Sequence, residues 1–465
     1  MTNKSNIYVL YYIAYYIVLI SVIYFLFIGV PLWDGLIIWT FNRIKYSYDK
    51  HGYLIFVLPE IILTSIPLIL FTVFHNRKYL KEKIQKRSYQ IALLIPCHKA
   101  EGVIRNTLEK ALKLFDGRSI YVIDNGNTIL PTDNTRHICN VLGVNYIWCD
   151  VGSKLSAIYV GTRAAIGYKY IMQIDDDIEL EDDMTFPIYT DADCIAYTIS
   201  GVSKFKKNNI VQRCQDVEYK ISGLIKALQS WVGNTMFAHG AISLWKRESL
   251  IKVLNKHPMY PISDDWFTGF IANCLGMRIE VCDQKFIGTD TPSTLFYGGR
   301  LGGYGNATLL QQRLTRWYAL IGLQIVHQIY YIFFIWKLGW RRIMIQKLLL
   351  LWYMFVMLII TFRYIILGYS LFLSPVFPLI MFSVNIGIWL THFSIINYTL
   401  LVDDERIPLY MIFIQPLYTM YDILVLGCAI IYGVFYKIPN VLFTPRVTLL
   451  ENDKIKTLLN KLPIV

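Results

Sequence analysis

The sequence predicts an α/β domain built on a parallel, doubly wound sheet and inserted between transmembrane α-helices. Two observations carry the membrane part. Of 465 residues, 55% are hydrophobic and only 17% charged, too apolar a balance for an ordinary soluble protein, and the apolar residues gather in long runs near both ends of the chain. A third observation carries the α/β part: between about residues 88 and 318 charges of both signs return, and short strand-like runs alternate with helix-periodic ones, the pattern of strand, crossover helix and parallel strand.

Taken in order, Ile7 to Val30 holds no formally charged residue. At about 1.5 Å of rise per residue it covers a hydrocarbon core of roughly 30 Å. It is too long for the apolar region of a secretory signal, and no small-residue cleavage site follows it. A second run, Tyr53 to Phe74, contains Pro59, Glu60 and Pro67, which predicts a kinked helix with one carboxyl turned toward other protein. Arg77, Lys78, Lys81, Lys83, Lys86 and Arg87 come next, a basic cluster that marks the cytoplasmic side. The formal net charge of +12 also suits a nucleic-acid binder, but no basic stripe with interleaved aromatics exists and the cluster abuts a span, so that class is excluded.

After the mixed-charge stretch, Ile343 to Tyr369, Pro375 to Leu401 and Leu409 to Tyr436 read as three further spans. Leu320 to Trp336 is shorter, holds Gln324, His327 and Gln328, and suits either an interfacial helix or a fourth span. The expected division is therefore 1–87 (two transmembrane helices and a basic edge), 88–318 (the cytosolic domain), 319–442 (an interfacial helix and three to four spans) and 443–465 (a tail). The eight cysteines include no C-x-x-C pair, and in a reducing cytosol they read as small buried hydrophobes. Cys97 and His98 are adjacent at a strand end, where neighbours face apart, so they make no nucleophilic pair.

Within the domain, YQIALLIPCHKAE reads as a strand opening into a loop, GVIRNTLEKALKLF as a helix, SIYVIDNGN as a second strand and KYIMQIDDDIEL as another. Ligands of such sheets bind beyond the carboxyl ends of the strands. Glu101, Asp124 and the triplet Asp175, Asp176 and Asp177 all fall at that edge. Carboxylates so close repel and raise one another's pKa values, a state relieved by a cation or by ligand donors. Asp175 and Asp177, two apart, suit a divalent ion that clamps a diphosphate, whereas the glycine of an EF-hand loop is missing. Alone, the triplet is equally compatible with a solvated acidic turn.

Downstream stand a second acidic pair, Asp264 and Asp265, at the start of a helical pattern, and the pair Arg316 and Trp317 in RLTRW. By itself RLTRW is also compatible with a membrane-edge helix whose arginine snorkels. The order of these elements resembles the membrane-embedded family-2 glycosyltransferases, which include the chitin, hyaluronan and cellulose synthases. The wording IPCHKAE, VIDNGN and GVNYIWCDVGSKL is most similar to fungal-type polysaccharide synthases of that family. The resemblance covers residues 90 to 318 and implies a GT-A (Rossmann-like) fold that uses a nucleotide-sugar donor with Mn2+ or Mg2+.

By position, the resemblance makes Asp124 the carboxylate that reads the base, with Glu101 helping to hold it, and Lys154 the lysine near the diphosphate. It places Asp175, Asp176 and Asp177 at the donor, with Asp177 and Asp175 as the metal carboxylates. Asp265 becomes the general base, Asp264 and Trp317 lie at the acceptor, and Arg313 and Arg316 face the diphosphate. Two departures stand out: Asn125 replaces a second Asp, and Arg313 replaces the Gln of Q-x-x-R-W. An R-x-x-R-W form occurs among ceramide glucosyltransferase relatives. The implied activity is inverting polymerisation into a β-linked polysaccharide extruded across the bilayer, the growing glycan being the acceptor and the plasma membrane the site. Two alternatives are a non-processive lipid glucosyltransferase and a non-catalytic transporter or scaffold.

In-line attack by a hydroxyl needs a base within about 3 Å and charge neutralisation on the leaving group, tasks that Asp265 and the cationic residues suit. Trp317 offers an apolar face to a sugar ring. The glycine-rich stretch 296–310 suits a gate closing over the nucleotide or a plain connecting loop. It contains the sequon at Asn306, which a cytosolic position leaves unmodified. Asp422 and Glu60, inside apolar runs, are expected to line either a glycan path or an ion relay.

Overall fold

A computed structural model describes residues 2–29, 35–51, 65–66, 69–71, 89–188, 190–202, 208–297, 307–373, 376–444 and 446–461. Most of the run 53–74 with Glu60, the basic cluster 77–87, and residues 298–306 with Asn306 lie outside these. The chain divides into two compact units. One comprises Met1–Ile69, Trp352–Arg406 and Ile431–Pro445, the other Leu70–Leu351, Ile407–Ile430 and Arg446–Val465.

In the first unit the helix Thr2–Phe27 is apolar along most of its length. Its tyrosines find acceptors on residues 434–440: Tyr12 donates to Asn440 Oδ1 at 2.9 Å and Tyr15 to the Val434 carbonyl at 2.8 Å. Such pairing suits side chains whose apolar bodies carry one polar end. Among the described residues, three helices are long and apolar enough to cross a membrane: Tyr8–Phe27, Pro378–Leu400 and Met411–Phe443. The pair Leu309–Trp317 and Ile321–Phe334, bent by 46°, passes the same test as one broken span. The run Ile343–Tyr369 forms the body of a helix, Trp340–Leu373.

The second unit is organised by a seven-stranded sheet of β1 (Ile91–Cys97), β2 (Ile120–Asn125), β3 (Asn145–Cys149), β4 (Tyr170–Ile174), β5 (Cys194–Ser200), β6 (Ile242–Lys246) and β7 (Ile279–Gly288) in the order β3-β2-β1-β4-β6-β5-β7. Helices α1 (Ile104–Leu114), α2 (Thr135–Leu142), α3 (Lys154–Ala164), α4 (Ile210–Trp231), α5 (Arg247–Leu254), α6 (Asp264–Leu275) and α7 (Asp453–Lys461) surround it. Strand β1 is buried throughout, and its side chains alternate between two cores, as a two-residue period dictates. Ile91, Leu93 and Ile95 join Ile104, Leu108 and Ala111 of α1. Ala92 and Leu94 join Leu155, Ile158 and Tyr159 of α3.

The sheet is mixed rather than wholly parallel. β1 to β4 run in parallel, but β6 lies antiparallel between β4 and β5. The reversal brings the amino end of β6 to the carboxyl edge of β4, where Ile174 pairs with Ile242 and the Asp175 amide donates to the Ala241 carbonyl at 2.9 Å. The loop 233–241 is thereby set against the acidic triplet. A buried amide pair anchors this loop. Asn234 Nδ2 donates to Asn273 Oδ1 at 2.8 Å and its Oδ1 accepts the Ile279 amide at 2.6 Å. Asn273 Nδ2 reaches the carbonyls of Met236 at 3.0 Å and Gly269 at 2.9 Å.

Replacing Asn273 with Leu leaves several buried polar groups without partners, each costing about 1–3 kcal/mol. The Asn273→Leu variant is expected to melt several degrees below wild type in a thermal scan, and an unchanged melting temperature contradicts the anchoring role.

Candidate active site

The site grows from the carboxyl edge of the sheet. Asp124, next to last in β2, lies beside Cys97 of β1 and Trp148 of β3. The residue is 1% exposed; Oδ2 accepts from Tyr146 Oη at 2.9 Å, while Oδ1 is buried with no hydrogen-bond partner among the described residues. Burial pushes this carboxyl above its ordinary value, against the hydrogen bond from Tyr146. A buried acceptor without a donor is costly, so an incoming N–H or O–H is favoured there. Asn125 is already committed to the chain, donating to the Cys97 carbonyl at 2.7 Å, and His98 Nδ1 meets the Asn125 carbonyl. Glu101 lies on an exposed turn, where it accepts from the amide and side chain of Asn134 at 3.2 and 3.0 Å. It therefore braces the start of α2, and among the described residues it shares no hydrogen bond with Asp124.

Lys154 is the first residue of α3, placed by the Ser153 cap. Its Nζ donates to Asp175 Oδ1 at 2.5 Å and to the Gly240 carbonyl at 3.2 Å. Burial works against its charge, but Asp175 first, and then Asp264, outweigh burial and hold the ammonium above its usual range. Gly240 also serves the second acidic pair, its amide donating to Asp265 Oδ2 at 3.2 Å. Asp265 Oδ1 accepts from the Trp266 amide at 2.8 Å, in keeping with a carboxylate in the first turn of a helix, where free N–H groups point outward. One residue's backbone thus links Lys154, and through it Asp175, to Asp265. A Cβ at residue 240 would stand 3.2 Å from that of Asp265, which favours glycine there.

The acidic residues raise one another. Burial, then Asp175, pushes Asp176 up to about 7, and the same causes, with Asp176 and Asp290 adding, raise Asp177 well above the carboxylate range. Burial and Asp264 raise Asp265, and Lys226 opposes them. Lys226, on α4, had no signal in the spacing of motifs. It is 8% exposed, its Nζ lies 3.9 Å from the centre of the Phe237 ring, and burial lowers it to about 8. His239 was likewise silent in sequence. Burial, then Lys226 and Lys154, hold it well below the usual imidazole value, so it stays neutral at physiological pH.

Among the described residues no three His, Cys, Asp or Glu side chains converge as a ready-made metal centre. Asp175, Asp176 and Asp177 nevertheless offer hard oxygen donors, and Asp176 and Asp177 are raised by burial and then by their acidic neighbours, a state that a cation relieves. A small divalent ion that keeps its waters and takes one or two carboxylates plus substrate phosphates fits such a set.

Arg316 and Trp317 lie on a π-helical turn, Arg313–Trp317. Arg316 is exposed and bonds only weakly, to Gln312 Oε1 at 3.3 Å. Arg313 is the centre of a second network. Fully buried, it is ion-paired with Glu218 of α4 and with Asp422, and donates to Tyr318 Oη at 2.8 Å and Tyr418 Oη at 2.5 Å. Asp422, placed by sequence inside an apolar run, is satisfied by Arg313 and by Tyr318 Oη at 3.0 Å. Trp317 lies beside this network, its ring centre 5.9 Å from Arg313 Cζ.

Residues 89–319 match the family described as "Glycosyltransferase like family 2". No curated protein sequence matches the chain. Similar solved structures include the mannosyltransferase PcManGT from Pyrobaculum calidifontis, in complex with GDP-Man and Mn2+, at 11% identity over 82% of this chain and 99% of that one, with a TM-score of 0.47. S. aureus TarS is 14% identical over 43% of this chain and 36% of its own, with a TM-score of 0.31. Glucosyl-3-phosphoglycerate synthase from Mycobacterium tuberculosis, in complex with Mn2+, UDP-glucose and phosphoglyceric acid, is 14% identical over 43% of this chain and 72% of its own, with a TM-score of 0.29. Residues 89–319 of the chain, which carry the acidic sheet edge and the lysine that organises it, are a glycosyltransferase family 2 domain.

Proposed function

We propose that the domain is a GT-A glycosyltransferase that transfers a sugar with inversion from a nucleoside-diphosphate donor to an acceptor hydroxyl, with Asp265 as general base. The observation that carries this reading is the backbone of Gly240, whose carbonyl and amide join the lysine of the donor side to the carboxylate of the acceptor side. In the transfer, the bond from the anomeric carbon to the diphosphate oxygen breaks with its electron pair, a bond to the acceptor oxygen forms, and the acceptor proton passes to Asp265. Asp124 Oδ1 would accept a hydrogen bond from the base, with Tyr146 fixing the other oxygen. Asp177 and Asp175 would hold an ion of the Mn2+ or Mg2+ class, and the chemistry that such an ion supplies when bound is charge neutralisation on the departing diphosphate. Lys154 adds its own positive charge on the same side.

Apolar helices stand on both sides of the domain in sequence. They support a multi-pass enzyme, with its catalytic domain in the cytosol, that extrudes a β-linked polysaccharide through the plasma membrane. A second reading, single transfer to a lipid acceptor, is favoured by Arg313, whose place in the Glu218 and Asp422 network leaves it unlike the glutamine of the polymer-forming relatives.

Nucleotide release by the protein in lipid nanodiscs with Mn2+, across a panel of nucleotide sugars, tests the reading. Asp265→Asn is expected to lower turnover by about 10²–10⁴-fold while donor affinity stays within a few-fold; unchanged turnover contradicts the role of base. High-molecular-weight product favours the polymer and its absence the lipid acceptor. Because the Lys226 charge lowers the Asp265 pKa, removing it raises that pKa further. Lys226→Met should therefore move the acidic limb of the pH–rate profile to higher pH, and an unmoved limb contradicts the coupling.

A further inference from the structure

The turn Arg313–Trp317 is clamped at both ends. Its π-helical closure joins the Tyr318 amide to the Arg313 carbonyl at 2.9 Å, and the side chains of the same two residues meet again, Arg313 Nη1 donating to Tyr318 Oη at 2.8 Å. Arg316 and Trp317 lie between them in the chain. Turns of this kind are rare and cluster at functional sites.

The clamp is part of two closed rings. In one, Tyr318 Oη donates to Asp422 at 3.0 Å, and Asp422 is ion-paired with Arg313 Nη1. In the other, Tyr418 Oη accepts from Arg313 Nη2 at 2.5 Å and donates to Glu218 Oε2 at 3.2 Å, while Glu218 is ion-paired with the same Nη2. Each terminal nitrogen of the guanidinium thus serves one carboxylate and one tyrosine, and the side chain is 0% exposed. A planar fork supplies two fixed directions at once, which a lysine ammonium does not. A guanidinium enclosed in this way has no face left for a diphosphate, the partner implied for it by position. The rings join three segments: the 313–318 turn, α4 through Glu218, and the helix Met411–Tyr432 through Tyr418 and Asp422. Next to Glu218, the Tyr219 ring centre lies 5.6 Å from that of His239. His239 precedes Gly240, whose backbone holds Lys154 and Asp265. Helix α4 is therefore the common support of the turn and of the loop that fixes the base.

We propose that Glu218, Arg313 and Asp422 are positioning residues: they touch no substrate, and they hold the turn that carries Arg316 and Trp317 in register with the helix that supports the loop of Gly240. The effect on transfer rests on the glycosyl-transfer reading, whereas the clamp itself does not. Charge decides what each loss does. Without Arg313 two carboxylates stay behind with no cation between them, which is worse than losing the whole triad. With both acids replaced by their amides, neutral hydrogen bonds remain available to the tyrosines and to a glutamine at position 313. Asp422, an acid inside an apolar run, thereby has a partner and a task that need neither an ion relay nor a glycan path.

The test follows deuterium exchange of the 313–318 amides in the full chain in lipid nanodiscs, beside donor turnover and the affinities for UDP and GDP with Mn2+. Arg313→Gln should speed exchange in 313–318 at least about tenfold while that of β1 stays unchanged. It should lower kcat about 10²-fold, the effect of a small misplacement, and leave nucleoside-diphosphate affinity within about twofold. The triple variant Arg313→Gln, Glu218→Gln, Asp422→Asn should regain about tenfold of the lost kcat, and Arg313→Lys should not. Unchanged exchange in both Arg313→Gln and Asp422→Asn overturns the proposal, as does a triple variant no faster than Arg313→Gln. A loss of nucleoside-diphosphate affinity that matches the loss of kcat also overturns it, by making Arg313 a donor contact. If exchange depends on the triad while Asp265→Asn leaves turnover unchanged, the clamp stands and the glycosyl-transfer reading fails.

Discussion

The backbone of Gly240 is the constraint on which the site depends. Its carbonyl takes the Lys154 ammonium from the start of α3, and its amide takes the Asp265 carboxylate from the start of α6. Two helix starts and the end of β4 therefore meet at one residue. That meeting requires the reversal of β6, which delivers residue 240 to the carboxyl edge, and the Asn234 and Asn273 pair, which holds the loop before it. A side chain at position 240 would press on Asp265, so the link between the two carboxylate groups is also a link of shape.

Electrostatics follow from that geometry. Lys154 is the cation at the centre, and among the described residues its ion pair is with Asp175. Asp176 and Asp177 remain raised by burial and by their neighbours. A cluster in this state is short of positive charge, and an ion arriving with a diphosphate relieves it. Asp265 is poised differently, lifted by burial and Asp264 but opposed by the lysine of α4. Neighbouring carboxylates are thereby pushed toward different tasks, one group suited to a cation and one to a proton.

Much of this was legible in the sequence, for identifiable reasons. β1, β2 and β4 are nearly continuous apolar runs ending in turn residues, so the strands and the aspartates at their ends could be placed from pattern alone. Asp264 and Asp265 announced a helix start, which α6 confirms. The reversal of β6 was not legible, because a five-residue strand carries no mark of its direction. Lys226 looks like any polar residue of an amphipathic helix until Phe237 and Asp265 come near it. Arg313 and Asp422 are far apart in sequence, and only folding turns a basic residue of RLTRW and an acid inside an apolar run into one ion pair. Leu449 and Ile455 sit in what reads as a tail, where no periodicity announces their places in the core beside Leu155 of α3.

The central claim is that the acidic edge is a diphosphate site completed by a cation. It is tested most directly by the affinity of the protein for nucleoside diphosphate, measured calorimetrically with Mn2+ and again with EDTA, in wild type and Asp177→Asn. The account predicts that chelation weakens wild-type binding by at least about tenfold, the worth of one recovered charge contact, and that Asp177→Asn binds weakly under both conditions. Equal affinity with and without the metal would contradict it.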